Sequence, residues 1–362
     1  MNWRSGVTVF IILAAAVAWW FLLTEKKSVI VVIDTPFYDP SIFDPSDLDA
    51  ATFFLEAHPD TRITIKERYY SLEPEAGRSI FTEEQLNEVA FFVTTQPSQS
   101  LIAGLDLFLD GQSLLINTSS TSLAASGRDD FVLRIIPDLQ KEQHFIADYV
   151  ASLQPRRVLV LTDAANPAYT GPAFDHFSET LLSHGDYSIR VQDIKFRDMQ
   201  PENFTELFAQ DIDLLYILAG DFQAGVGNVM QYFHSLHPDT PIVLTPWARS
   251  PAIYQTAGPA IAQVALISHY DTRSADAALN AYLESFTARF GYQPHYMAIK
   301  VRQALELLHQ ALEQGHDSPQ AVKDYLFSKP VHHTSLGDIR FDSHGDLLGG
   351  FHIITQFDSE TP

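Results

Sequence analysis

Short runs with apolar, often β-branched cores recur along this chain at intervals that a helix can fill, and this recurrence is the strongest constraint on its fold. SVIVVID (28–34), NEVAFFVTT (87–95), QSLLINTS (112–119), RRVLVLTD (156–163), DIDLLYILAG (211–220) and TPIVLTP (240–246) each carry a nearly continuous apolar centre. A strand with one wet face would alternate, so these runs predict strands covered on both faces, the pattern of parallel sheet. Amphipathic stretches such as Lys141 to Leu153 and Phe174 to His184 separate several of them. Past Ser274, ADAALNAYLESFTARFG (275–291) and HYMAIKVRQALELLHQALEQG (295–315) repeat apolar residues every three or four positions. Strands alternating with helices predict βαβ units and an α/β fold. The end of the chain changes character: GDIRF, a His344-Gly345 turn within DSHGD, and GGFHIITQF read as a β-hairpin. Asp39 to Glu75, rich in Pro and acidic residues, shows no clear pattern.

The length of 362 residues with 25 Phe and 14 Tyr is more apolar chain than one core usually holds, which predicts two lobes. Lys and Arg total 23 against 45 for Asp and Glu, a formal charge of −22. That balance opposes a phosphate backbone or an anionic membrane surface, so no nucleic-acid partner is expected. The absence of Cys removes disulfides, thiolate metal sites, a Cys nucleophile and a lipidated N-terminal Cys. From Gly6 to Leu23 the chain reads GVTVFIILAAAVAWWFLL, uncharged and long enough to cross most of a bilayer's hydrocarbon, with Trp19 and Trp20 suited to the interface. Residues 1–27 are read as a signal anchor that spans the membrane through residues 7–23, with a cleaved signal peptide as the alternative. Either reading puts the large acidic part outside the cytoplasm, on the periplasmic or extracellular face.

Signatures of catalysis are missing. The chain has no G-x-S-x-G, H-E-x-x-H or G-x-x-x-x-G-K-[ST]. Gly220, Gly225 and Gly227 follow a strand, but their spacing departs from the dinucleotide fingerprint and fits a plain strand-to-helix turn. His332, His333, Asp342 and His344 form the one dense group of metal-ligating types and lack a third ligand at defined spacing. Asp342 to Asp346 lacks the alternating acidic ligands and distal Glu of a calcium loop. No enzyme activity, metal or cofactor is expected.

Five segments in order, QSLLINTSSTSLAASGRDDFVLRIIPDLQKEQHFIADYV, RRVLVLTDAANPAYTGPAFDHF, DIDLLYILAGDFQ, TPIVLTPWARSPAIY and GDIRFDSHGD, resemble the type I periplasmic binding proteins of the Leu/Ile/Val-binding family, the solute receptors of ABC importers. The resemblance runs from Ser28 to Phe357 and thins between Asp34 and Glu75. It implies two doubly wound parallel-sheet lobes joined by three crossovers, with a ligand in the cleft between them. The crossings fall near 134–139, 267–270 and 329–335, giving a first lobe of 28–136 and 269–332 and a second of 137–268 and 333–362, the latter ending in the terminal hairpin.

In the family a Ser at a helix start and a Thr in the following strand-end loop hold the ligand's carboxylate. The resemblance carries these roles to Ser98 and Thr121, with Ser119 offering a backbone contact; unpaired N–H groups at a helix start suit an anion even in an acidic protein. Their ordinary alternatives are a helix cap for Ser98 and a turn hydroxyl for Thr121. Across the cleft the resemblance puts Tyr169, Asp221, Phe222 and Trp247, whose alternatives include loop packing for Trp247 and a helix cap for Asp221. Amino-acid binders of the family carry an acidic side chain at the Trp247 position, paired with the ligand's ammonium. Trp cannot supply that charge, although its face attracts cations, and Asp221 is a candidate replacement. The expectation is an extracytoplasmic solute-binding protein that closes on a small polar ligand (an amino acid, carboxylate or amide) for an ABC importer with a membrane permease partner. The alternative is a membrane-anchored sensory or scaffold domain of the same fold that regulates a membrane or cell-wall partner.

Overall fold

Val31 and Ile33 bury into one apolar layer and Val32 into another, which is what a strand covered on both faces requires. The computed structural model describes residues 27–36, 45–71, 74–196, 204–219, 224–248, 251–269 and 277–355. The expected anchor at 7–23, together with Asp221 and Phe222, lies outside the described residues. Among the described residues no helix is long and apolar enough to cross a membrane.

The first sheet has five parallel strands in the order β2-β1-β3-β4-β5, formed by β1 (Val29–Pro36), β2 (Ile63–Tyr70), β3 (Phe91–Thr94), β4 (Leu114–Asn117) and β5 (Val132–Arg134). One face packs on α1 (Ser46–Ala57), α10 (Tyr296–Glu313) and α11 (Pro319–Ser328) through Phe54, Leu305, Leu308 and Leu326. The other packs on α2 (Pro74–Leu86) and α3 (Ser98–Gly104) through Phe81, Leu101 and, just beyond α3, Phe108. The register pairs Val31 with Phe91 and Phe91 with Leu114, so the odd and even positions of the three apolar runs stay in phase across the sheet.

The second sheet has six strands in the order β13-β10-β9-β8-β6-β7. They are β6 (Arg157–Asp163), β7 (Ser188–Ile194), β8 (Leu214–Leu218), β9 (Ile242–Leu244), β10 (Val264–Ser268) and β13 (His352–Thr355). All pairs are parallel except β10 with β13. Val158, Val160 and Tyr216 face α4 (Leu139–Leu153) and α5 (Pro167–Ser183), while Leu159, Leu161 and Ile217 face α7 (Ala224–Leu236) and α8 (Pro251–Ala257); a short α6 (Thr205–Phe208) closes that side. The core on the α4 side continues through Trp247 to Tyr296 and to Leu279 and Phe286 of α9 (Ala277–Phe290), so apolar packing joins the two layered units.

Two sequence expectations are corrected here. The terminal hairpin pairs differently: β11 (His332–Thr334) joins β12 (Gly337–Ile339), and Phe341 with Leu347 makes one antiparallel bridge around the His344-Gly345 turn. Residues 333–362 therefore do not belong to the second lobe as a block, because Ile339 and Leu347 bury in the core of the first sheet and only β13 joins the second. The physical reason is that β13 pairs with the open edge of β10. The other correction concerns glycines: Gly225 and Gly227 lie inside α7 and not in a strand-to-helix turn, where a Cβ would strike the Phe196 carbonyl and come 2.5 Å from the Ile253 carbonyl of α8.

Candidate functional site

Parallel sheets of this type bind ligands outside the carboxyl ends of their strands, where the strand order reverses. That reversal falls between β1 and β3 in the first sheet and between β6 and β8 in the second. Both places are lined with buried polar side chains instead of apolar ones. In the first sheet these are Asp34, Thr35, Thr94, Thr95, Gln96 and Ser98, continued by Asn117 to Ser122 beyond β4; in the second they are Thr162, Asp163, Asn166 and Thr170. Helix α3 packs against α5, so the two polar rims meet.

Asp34 anchors the first rim. Its carboxylate accepts from Thr94 Oγ1 at 3.0 Å, from the Thr95 N–H at 3.0 Å and from Gln96 Nε2 at 2.6 Å. Complete burial nevertheless pushes it up to about 7, with the nearby Asp47 adding to the effect. Asp47 accepts from Thr35 Oγ1 at 3.2 Å and lies 3.4 Å from His295 Nε2. Ser98 is the first helical residue of α3, Pro97 being the cap, and its hydroxyl accepts from Ser120 Oγ at 3.0 Å. The Ser119 N–H is directed at Asn117 Oδ1 at 3.1 Å, and the Ser120 N–H binds the same oxygen at 2.9 Å. The Thr121 carbonyl accepts from the Leu139 N–H at 2.9 Å, tying this loop to the start of α4, but the Thr121 hydroxyl is buried without a hydrogen-bond partner.

The second rim is built around Tyr169, in the first turn of α5. The Trp247 indole N–H donates to the Tyr169 hydroxyl, which donates to Glu142 Oε1 at 2.5 Å. Gln143 Nε2 also donates to Glu142 Oε1, at 2.8 Å, and Tyr216 donates to Gln143 Oε1 at 2.8 Å. Burial raises the Glu142 carboxyl to about 7 despite these donors, and burial beside Glu142 pushes the Tyr169 hydroxyl well up. Glu142 Oε2 and Asn166 Oδ1 are buried and have no partner. Trp247 also meets Tyr296 edge-on at 5.5 Å between centroids, and His269 stacks on Tyr296 at 4.6 Å. Lys300, one turn along α10, lies 5.9 Å from the Tyr296 ring centroid, donates to Gln303 Oε1 at 3.0 Å and is lowered by burial to about 7.

The structure thus sets Ser98, Ser119 and Thr121 on the first rim, and Tyr169 and Trp247 together on the second. It adds Glu142, Asn166, His269 and Tyr296. Glu142 is hard to find from sequence, since an acidic residue in the first turn of a helix is an ordinary response to the helix dipole. Among the described residues no group of three His, Asp or Glu could hold a metal ion, and His332 is engaged with the Leu326 carbonyl at 2.7 Å.

No family model and no curated protein sequence matches the chain. Solved structures do. The leucine binding protein LivK from Thermotoga maritima superposes with a TM-score of 0.77 at 16% identity, covering 90% of this chain and 94% of that one. The branched-chain amino acid transporter substrate binding protein LivJ from Streptococcus pneumoniae, in complex with isoleucine, gives 0.77 at 17% identity over 91% and 96%. An ABC transporter solute binding protein from R. palustris, in complex with benzoate, gives 0.78 at 13% identity over 90% and 92%. This is the type I periplasmic-binding fold. The agreement extends over about nine-tenths of both chains. In this chain Trp247, Tyr169 and Glu142 are buried together as one hydrogen-bonded group.

Proposed function

We propose that the chain is an extracytoplasmic solute-binding protein that closes its two lobes on a small polar ligand and presents it to the membrane permease of an ABC importer. Residues 7–23 hold it to the inner membrane. It performs no chemistry; ligand favours the closed state by binding that state more tightly, and the partner reads the closure. The observation that carries this reading is that polar atoms on both rims, Thr121 Oγ1 on the first and Glu142 Oε2 and Asn166 Oδ1 on the second, are buried without a hydrogen-bond partner. Orphaned buried polar groups cost stability, and a ligand that supplies their partners offsets that cost. Isoleucine and benzoate in structures of the same fold support an amino acid or a small carboxylate as ligand, with amides as the third class.

A thermal-shift panel of amino acids, small carboxylates and small amides tests the proposal. A ligand present at a hundred times its Kd stabilises the folded state by about 2.7 kcal/mol, a readily measured rise in Tm. Folded protein that none of the three classes stabilises would overturn the solute-binding reading.

A further inference from the structure

Two of the segments that carry the chain between its layered units meet in one aromatic stack. His269 follows β10 directly, where the chain leaves the second sheet for α9, whose Phe286 packs edge-on against Phe53 of α1. Phe351 precedes β13, where the chain returns from the core of the first sheet at Leu347. Ser268 pairs with His352 in the antiparallel ladder, and this sets the His269 and Phe351 rings 4.7 Å apart. His269 also stacks on Tyr296, at 4.6 Å with 24° between the planes. Tyr296 opens α10, which packs on the first sheet, whereas Trp247, 6.4 Å from His269 and 5.5 Å from Tyr296, follows β9 of the second. Phe145 of α4 closes the group against Phe351 at 5.6 Å. Helix α3 touches α5 across the cleft, so the stack is seen with the lobes together. Rotation of one lobe against the other moves Tyr296 past Trp247 and His269.

The imidazole is a polar ring in an apolar setting. Both of its nitrogens are buried and neither has a hydrogen-bond partner, although the residue keeps some exposure through its other atoms. An uncharged imidazole tolerates this at the cost of two unmet polar atoms; an imidazolium, with two N–H donors and a charge, does not. Burial first, then Lys300 on α10 and His352 on β13, hold His269 well below the ordinary histidine range. Past Trp247 lie Tyr169 and Glu142, already bound to one another, and at the start of α10 His295 lies 3.4 Å from Asp47. Beside Phe145, His144 faces His176 of α5. None of these carboxylates is hydrogen-bonded to His269.

We propose that this stack is a proton-operated latch on lobe closure: the uncharged His269 ring lets Tyr296, Trp247 and Phe351 close around it, and its protonation opens the lobes. This rests on the two-lobe closure of the solute-binding reading. Once wet, the ring finds water for both nitrogens and returns to its ordinary value of about 6.5. The open state therefore binds a proton that the closed state excludes, so closure is fully available above pH 6.5 and is lost as pH falls below it. For one such group the closed-to-open ratio falls about tenfold between pH 8 and pH 5.5.

The chain has no Cys, so two introduced cysteines take spin labels selectively. Thr82→Cys on α2 and Glu179→Cys on α5 put exposed labels on opposite lobes. The distance between them is read by double electron–electron resonance on the full chain in detergent, without ligand, at pH 8 and pH 5.5. A short distance at pH 8 is expected to give way to a longer one at pH 5.5, with the population ratio changing about tenfold. His269→Phe, which keeps a ring in the stack and takes no proton, is expected to hold the short distance at both. An unchanged distribution in the labelled parent overturns the latch, and so does a shift of the same size in His269→Phe. If that variant does not fold, His269→Gln, neutral at every pH, replaces it; if neither folds, the midpoint in the parent decides, since opening centred above pH 6.5 overturns the latch and opening centred at or below it supports it. No ligand is used, so a failed thermal-shift panel leaves this test intact. A distance that shortens with a ligand from that panel but ignores pH overturns the latch alone.

Discussion

Arg134 at the end of β5 and Asp346 in the turn after β12 form a buried ion pair, Nε to Oδ1 at 2.8 Å, although they are far apart in sequence. Asp130 approaches the same guanidinium at 3.4 Å, the Gly345 carbonyl accepts the Arg134 N–H at 2.8 Å, and the Gly127 N–H donates to Asp346 Oδ2 at 2.7 Å. The strand that leads out of the first sheet is thereby locked to the last segment before β13. Removing one partner of such a pair leaves a charge buried without compensation, which costs about 3–5 kcal/mol. Arg134→Met is expected to lower the stability measured by urea unfolding by that amount, and an effect below 1 kcal/mol would show that the pair contributes little.

Asp34 and Glu142 lead to a pH dependence of defined sign. Both carboxyls are raised by burial to about 7, so between pH 4 and 7 the folded state holds protons that the unfolded chain has lost. Stability then falls as pH rises through this window and levels off above it. For each group the loss is on the order of 3 kcal/mol. Glu142→Gln removes one of the two contributions: its urea-unfolding stability is expected to match the wild type at pH 5 and to exceed it at pH 8. Equal stabilities at both pH values would mean that Glu142 is not raised.

Thr121 offers a test in which stability and affinity move apart. Its hydroxyl is buried without a partner, so the isosteric Thr121→Val is expected to leave unfolding free energy unchanged or slightly higher. Ligand affinity, measured by calorimetry with any ligand found in the thermal-shift panel, is expected to drop about tenfold, the worth of one hydrogen bond. A parallel loss of both would assign Thr121 to the scaffold. Ser98→Ala is the companion variant and is expected to cost some stability too, because it deprives Ser120 Oγ of its acceptor.

Gly227 tests the reading of the glycine-rich segment. A Cβ there would lie 2.5 Å from the Ile253 carbonyl, on backbone that cannot swing away. Gly227→Ala is expected to destabilise the protein by about 1–3 kcal/mol, the cost of overpacking, despite alanine's better helix propensity. A stabilised variant in thermal unfolding would show that α7 and α8 are free to separate.

The apolar runs were legible because central parallel strands are buried on both faces: RRVLVLTD became β6 and SVIVVID became β1 within two residues at either end. The long amphipathic segments emerged as α9 and α10 for the same reason of period. The strands that escaped reading include the edge strands β2 and β7. β2, ITIKERYY, and β7, SIRVQDI, each pair with one neighbour only and expose much of their length, so their polar residues hide the pattern. Residues 46–70, which read as nothing in particular, hold α1 and β2. Ser98, Thr121, Tyr169 and Trp247 came from motif order, but no motif pointed to Glu142, whose significance lies in which oxygen is left without a donor.

By itself, then, the sequence determined the α/β class, the two cores and the positions of the central strands, because solvent exclusion along a strand or helix is written in local period. Only the tertiary structure decided that β13 rather than a hairpin closes the second sheet, that Gly227 is a contact between helices, and that Trp247, Tyr169 and Glu142 form one relay with a free oxygen at its end. Those outcomes depend on which distant segments meet, and pairing between distant segments leaves no periodic trace in the chain.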